Sequence, residues 1–316
     1  AAWAVLVRMK VLHREAIRDL SQLVFRLTLP ALLFSGLIKV VSIDSLRESW
    51  LVPVGALFVN LFGLVVGFFV SATFRPKPAF RRGMVVATAF PNSAYAVLAV
   101  FATLAMQHPE LFGADVDSRG AGLVSLYLVV FSPLLWIIGF PLLTQKPLRE
   151  VSWKQVIPPP VMAAFAAIIL GLIPWTKELF LGPSAPLSVV HSAASLLGRT
   201  TMPAALIIIG ANLAHGPARG LLRVRTIVGA ALGRYFIVPA AMFAILCILR
   251  RTGYDVPPLL CFFLMLESFV PPALNLVVMC QVLGKNQEEM ATLMFWMYLI
   301  GIPMMAAWMS LAMLAL

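Results

Sequence analysis

The sequence predicts an all-α polytopic membrane protein: ten transmembrane helices in two inverted five-helix repeats, with a crossover of broken helices 4 and 9. Three observations predict it. Of 316 residues, 61% are hydrophobic and only 12% charged, against about 25% charged in a soluble domain. The apolar residues gather into runs long enough to cross about 30 Å of hydrocarbon. Two of those runs are broken by prolines at corresponding places in the two halves of the chain.

Taken in order, helix 1 is read only over 1–8, too short to span, and is expected to be truncated. The next nine are read over 20–39, 50–73, 82–106, 120–143, 156–175, 188–214, 225–249, 256–283 and 289–315, with charged loops between them. Pro158-Pro159-Pro160 opens helix 6, a proper place for proline. No segment alternates polar and apolar residues over strand length, which argues against a β-barrel.

Loop charge sets the orientation. The loops after odd-numbered helices hold fifteen lysines and arginines, including Arg8, Lys10, Arg75, Lys77, Lys146, Arg149, Arg223 and Lys285; those after even-numbered helices hold six. Lysine and arginine mark the cytosolic side. The odd loops are therefore cytosolic, both termini are non-cytosolic, and the acidic loop with Glu110, Asp115 and Asp117 lies outside. Topology thus accounts for the net charge of +11, and no nucleic-acid partner is expected. Cys247, Cys261 and Cys280 all sit in apolar runs, as core packing rather than a disulfide framework. The four histidines show no zinc-ligand spacing. There is no GxSxG, Walker A or GxGxxG motif. No catalytic residue, metal or cofactor is expected, and the chain does not read as an enzyme.

The halves repeat. Helix 2 carries Arg26-x-Thr28-x-Pro30-Ala31 and helix 7 carries Arg199-x-Thr201-x-Pro203-Ala204. Helices 5 and 10 carry Pro133 and Pro303. Five helices per copy invert the second copy in the membrane, giving repeat 1 over 1–143, a short cytosolic linker over 144–155 and repeat 2 over 156–316. Inverted repeats with paired broken helices are the plan of secondary transporters.

The breaks are Thr88-Ala89-Phe90-Pro91-Asn92-Ser93-Ala94 and Glu267-Ser268-Phe269-Val270-Pro271-Pro272-Ala273-Leu274-Asn275. Non-helical backbone persists in a bilayer only where protein or a cavity surrounds it. Because the two helices run in opposite directions, both second halves begin near the midplane, from opposite sides. Each start carries about half a positive charge and free N–H groups, a setting for an anion such as a carboxylate. Asn92 and Asn275 can donate and accept, and Ser93 adds a hydroxyl. The bland alternative is that the prolines only kink packed helices and the asparagines cap them. The candidate substrate-binding set is Pro91, Asn92, Ser93, Pro271, Pro272 and Asn275. Glu267, one turn before Pro271, either pairs with Arg234 of helix 8, titrates with transport, or lines the cavity. Arg26 can snorkel, and Arg199 reads as structural.

Leu29-Pro30-Ala31-Leu32-Leu33-Phe34, Pro91-Asn92 and Pro271-Pro272-Ala273-Leu274-Asn275 followed by Cys280-Gln281 resemble the auxin efflux carrier family (PIN and PIN-LIKES type), and most closely its PIN-LIKES branch. The resemblance implies ten helices with a crossover, a scaffold of helices 1, 2, 6 and 7, and a mobile transport unit made by the others. It implies that Pro91, Asn92, Pro271, Pro272 and Asn275 contact the carboxylate of an indole-3-acetic-acid-like substrate. Glu267 and the short linker depart from the family pattern. The expected function is an elevator-type secondary transporter of small organic anions. The alternatives are a proton- or sodium-coupled carboxylate symporter or antiporter of the same architecture, or a non-transporting ligand sensor. Asparagines at the crossover, where cation exchangers carry aspartates, disfavour cation exchange. The expected partners are an auxin-like carboxylate, the lipid bilayer and a second copy of the chain in a homodimer. The expected site is the endoplasmic reticulum or plasma membrane.

Overall fold

The computed structural model describes residues 14–107, 116–144, 159–182, 185–214, 220–254, 256–283 and 285–315. Helix 1 and residues 145–155 of the central linker lie outside them. The described residues are helical, without strands, and the one β-bridge joins Pro91 to Pro272. Five helices are long and apolar enough to cross a membrane, or six if one sharply bent pair is a single span. This is a polytopic, all-helical membrane protein.

The helices are α1 (Glu15–Lys39), α2 (Leu51–Phe74), α3 (Arg81–Ala89), α4 (Tyr95–Gln107), α5 (Arg119–Thr144), α6 (Pro159–Leu172) and α7 (Pro174–Phe180). They continue as α8 (Ser188–Arg199), α9 (Thr201–Ala214), α10 (Val224–Arg251), α11 (Pro258–Phe269), α12 (Asn275–Leu283) and α13 (Gln287–Ala315).

Proline decides several local shapes. α1, α5 and α10 each contain one widened π-type turn, at Val24–Thr28, Leu135–Gly139 and Gly233–Ile237. Each turn is followed two residues on by Pro30, Pro141 or Pro239. A proline ring collides with the carbonyl four residues back, and the wider turn moves that carbonyl aside. Two helices depart from the sequence reading. Helix 6, expected over 156–175, stops at Leu172, and the chain bends by 114° into α7 at Pro174. Helix 7, expected unbroken over 188–214, is interrupted at Thr200. Pro203 has no N–H for the Arg199 carbonyl, and the Thr200 hydroxyl bonds back to the Leu197 carbonyl at 2.7 Å.

The chain divides into two compact units. The first comprises 1–53, 94–132 and 153–215. Its core packs Leu37, Ile38 and Val41 on Ala164 and Ala167. Small residues bring the helices together: Gly198 lies where a Cβ would stand 2.7 Å from the Leu32 Cα. Lys177 donates to the Val41 carbonyl at 3.3 Å, placing a cation at the negative C-terminal end of α1.

The second unit comprises 54–93, 133–152 and 216–316. Its centre is α3, buried from Gly83 to Ala89. Two small-xxx-small pairs grip it. On α2, a Cβ at Gly63 would meet the Ala89 Cα at 2.8 Å, and one at Gly67 would meet the Val85 carbonyl oxygen at 2.8 Å. On α10, Gly233 lies against Thr88 and Gly229 against Met84. Such spacing lets backbones approach where lipid supplies no hydrophobic drive between helices. Gly67→Leu should therefore push α3 off α2, a repacking that costs about 1–3 kcal/mol or more. The expected result is a lower thermal midpoint and a smaller monodisperse fraction on size-exclusion chromatography. A Gly67→Leu protein as stable as the wild type would remove this packing argument.

Candidate functional site

Both breaks arise from the same local rule. A residue preceding proline is driven out of the helical region. Phe90, before Pro91, is extended with φ −104° and ψ 106°. Val270, before Pro271, is extended with φ −64° and ψ 150°. Each still closes the last turn behind it, Phe90 N–H to Val86 and Val270 N–H to Leu266, both at 3.0 Å. Beyond them the chain cannot remain helical, because Pro91, Pro271 and Pro272 bring no donor.

The two extended segments pair with each other inside the second unit. Asn92 N–H donates to the Pro271 carbonyl at 2.8 Å, and Ala273 N–H donates to the Phe90 carbonyl at 3.0 Å. These bonds flank an antiparallel bridge between Pro91 and Pro272. In an antiparallel ladder the non-hydrogen-bonded pair uses neither of its own N–H groups. The prolines occupy the one pair that asks for no donor. The elements that break the helices therefore also fit the joint that replaces them.

Around this joint the polar groups are buried. Asn92 is 4% exposed, and its Nδ2 donates to the Tyr298 hydroxyl of α13 at 2.5 Å. That hydroxyl lies 3.2 Å from the Pro272 carbonyl, to which it donates. One tyrosine thus fixes both strands of the bridge. Asn275 opens α12 and is half-buried; its amide makes no hydrogen bond with another described residue. The Ser93 hydroxyl lies 3.5 Å from the Pro91 carbonyl and close to the Glu267 carboxyl.

Arg234 and Glu267 are both fully buried. Of the roles open to Glu267, a hydrogen-bonded side-chain pair with Arg234 is not the one these contacts form. Arg234 Nε donates to the Val270 carbonyl at 2.8 Å, and Nη2 donates to the Glu267 carbonyl at 2.7 Å. The reason is Pro271: the Glu267 carbonyl would take its helical bond from residue 271, which has no N–H. Arg234 supplies that missing donor, and its charge sits at the negative end of α11. The Glu267 carboxyl oxygens receive no hydrogen bond of good geometry, although Ser93 and Arg234 are the polar groups near enough to act on them.

The sequence reading missed Tyr298 and Tyr235. Tyr235 donates its hydroxyl to the Met297 carbonyl at 2.5 Å, and Trp308 Nε1 donates to the Tyr235 carbonyl at 2.7 Å, tying α13 to α10. A tyrosine in a lipid-spanning run has a polar tip needing a partner, and that signal was available. Arg26 and Arg199 are exposed and belong to the first unit. Asn60 donates to the Ala56 carbonyl of its own helix at 2.6 Å.

The several apolar spans and the family match place this chain in the class of membrane transport proteins. The sequence matches the Membrane transport protein family over residues 2–150 and 143–309, and the chain belongs to that family. It is similar to Protein PIN-LIKES 5 of Arabidopsis thaliana, at 25% identity over 95% of this chain and 90% of that protein. It is similar to Protein PIN-LIKES 2 of the same plant, at 23% identity over 93% and 86%. An uncharacterized transporter of Schizosaccharomyces pombe is 20% identical over 95% and 88%. The resemblance read from the proline and asparagine motifs is therefore a family relationship along nearly the whole chain.

Proposed function

We propose that this chain is an elevator-type secondary transporter that moves small organic anions, auxin-like carboxylates among them, across a membrane of the endoplasmic reticulum or the cell surface. The observation that carries this reading is the Pro91–Pro272 bridge. It holds Asn92 beside the second break, where Asn275 stands at the positive start of α12. A carboxylate there would accept from Asn275 and from the helix end. Pro91, Ser93, Pro271 and Pro272 shape the backbone around it. Ten helices in two inverted repeats, with non-cytosolic termini, complete the proposal. Support for a moving unit comes from the residue membership of the two compact units. The helices assigned to the scaffold fall in the first and both crossing segments in the second, although residues 94–132 fall with the first.

The test is uptake by vesicles reconstituted with the purified chain, across a panel of labelled carboxylates that includes indole-3-acetate. Flux above protein-free vesicles, accelerated by unlabelled substrate inside, is the expected result. No carboxylate moving faster than in empty vesicles would overturn the proposal.

A further inference from the structure

The carrier reading assigns no role to Glu267, yet no other described carboxyl is buried so completely. It lies one turn before Pro271, is fully buried, and neither oxygen receives a hydrogen bond of good geometry. The groups that face it can be named element by element. The crossing segment contributes the Ser93 hydroxyl, and α10 contributes the Arg234 guanidinium. The Arg234 Nε and Nη2 donors are directed at the backbone carbonyls of Val270 and Glu267. The nearby tyrosine hydroxyls are directed elsewhere, Tyr235 to Met297 and Tyr298 to Pro272. α2 meets α11 through Gly55 against Leu264, an apolar contact.

We propose that Glu267 is a proton-binding site coupled to anion binding at the crossover, so that the carrier takes up an organic anion together with a proton. The inference rests on the anion-carrier reading. Its logic is charge balance. With Glu267 ionised, its charge offsets that of Arg234, and only the start of α12 draws an incoming carboxylate. With Glu267 protonated, Arg234 and the start of α12 leave the crossover positive. Anion and proton therefore favour each other, and by linkage the effect is reciprocal. The Ser93 hydroxyl suits both states, since it can donate to a carboxylate or accept from a carboxylic acid. The proton arrives from water on one side and leaves to water on the other, with no bond to carbon made or broken. The net charge moved per anion is zero.

The experiment is calorimetric binding of indole-3-acetate to the purified full chain, in buffers of different ionisation heat, at pH values above the ligand's own titration range. The wild type should take up about one proton per anion bound, and its affinity should rise about tenfold for each unit fall in pH. Glu267→Gln should bind with no proton uptake and a flat pH profile, while Glu267→Asp, which keeps a titrating carboxyl, should restore the uptake. Binding without proton uptake in the wild type would overturn the proposal. So would unchanged uptake in Glu267→Gln, or affinity that follows sodium concentration and ignores pH. Each of these leaves the carrier reading standing. Absence of any carboxylate binding or flux in the wild type would remove both.

Discussion

Labelled-carboxylate flux should fall by about 10- to 100-fold in the Asn92→Ala and Asn275→Ala variants, with the fold retained. A hydrogen bond to a charged partner contributes about 1.5–3 kcal/mol, and about 1.4 kcal/mol is a factor of ten. The two asparagines should fail for different reasons. Asn275 is half-buried at the start of α12, so alanine there should remove chiefly what the ligand would have gained. The defect should appear mainly as a higher KM. Asn92 is engaged with Tyr298, so alanine also releases one constraint on the crossing strands. Its fold should nevertheless survive. The bridge is made by backbone groups of Phe90, Asn92, Pro271 and Ala273, none of which the substitution touches, and Tyr298 keeps its bond to Pro272. Vesicle uptake over a range of substrate concentrations separates the two cases. Normal flux in both variants would leave the crossover without a role in recognition.

Much of this is legible in the sequence. Proline is an absolute donor deletion, so Pro91 and Pro271-Pro272 announce a break wherever the neighbouring residues are apolar enough to be helical. The π-type turns before Pro30, Pro141 and Pro239 follow the same rule, but sequence alone does not say whether a helix will widen, kink or stop. That choice depends on what surrounds the freed carbonyl. At Pro271 the deciding group is Arg234, 37 positions earlier in the chain, and no periodicity links the two. The same holds for Tyr298, whose hydroxyl reaches two strands that only tertiary folding brings together. The Gly63/Gly67 and Gly229/Gly233 pairs were readable as small-xxx-small spacings, but not the helix they would embrace. Opposite charges one helix apart invited an ion pair between Glu267 and Arg234. The fold uses the cation on backbone carbonyls, because a carbonyl stripped of its donor in lipid has no water to turn to.

That use of Arg234 leads to the second large effect. Arg234→Met should be severely destabilising, and Glu267→Gln should not. Removing the guanidinium leaves the Glu267 and Val270 carbonyls buried without donors, each costing about 1–3 kcal/mol. It also removes the positive charge from the end of α11. The two carbonyls together, about 2–6 kcal/mol, make a loss that is large for any single substitution. Arg234→Lys should recover the charge and only part of the geometry. A single ammonium on a flexible stem does not reproduce the planar fork that reaches two carbonyls at once. The expected order of thermal midpoints, read by fluorescence-detected size exclusion after heating, is wild type near Glu267→Gln, then Arg234→Lys, then Arg234→Met. An ion pair between the two side chains makes the opposite forecast. Breaking a buried pair from either side strands a charge and costs about 3–5 kcal/mol, so Glu267→Gln would then leave the arginine unmatched and fall with Arg234→Met. Equal losses in those two variants would show that the carboxylate, and not the backbone at the second break, is what Arg234 holds.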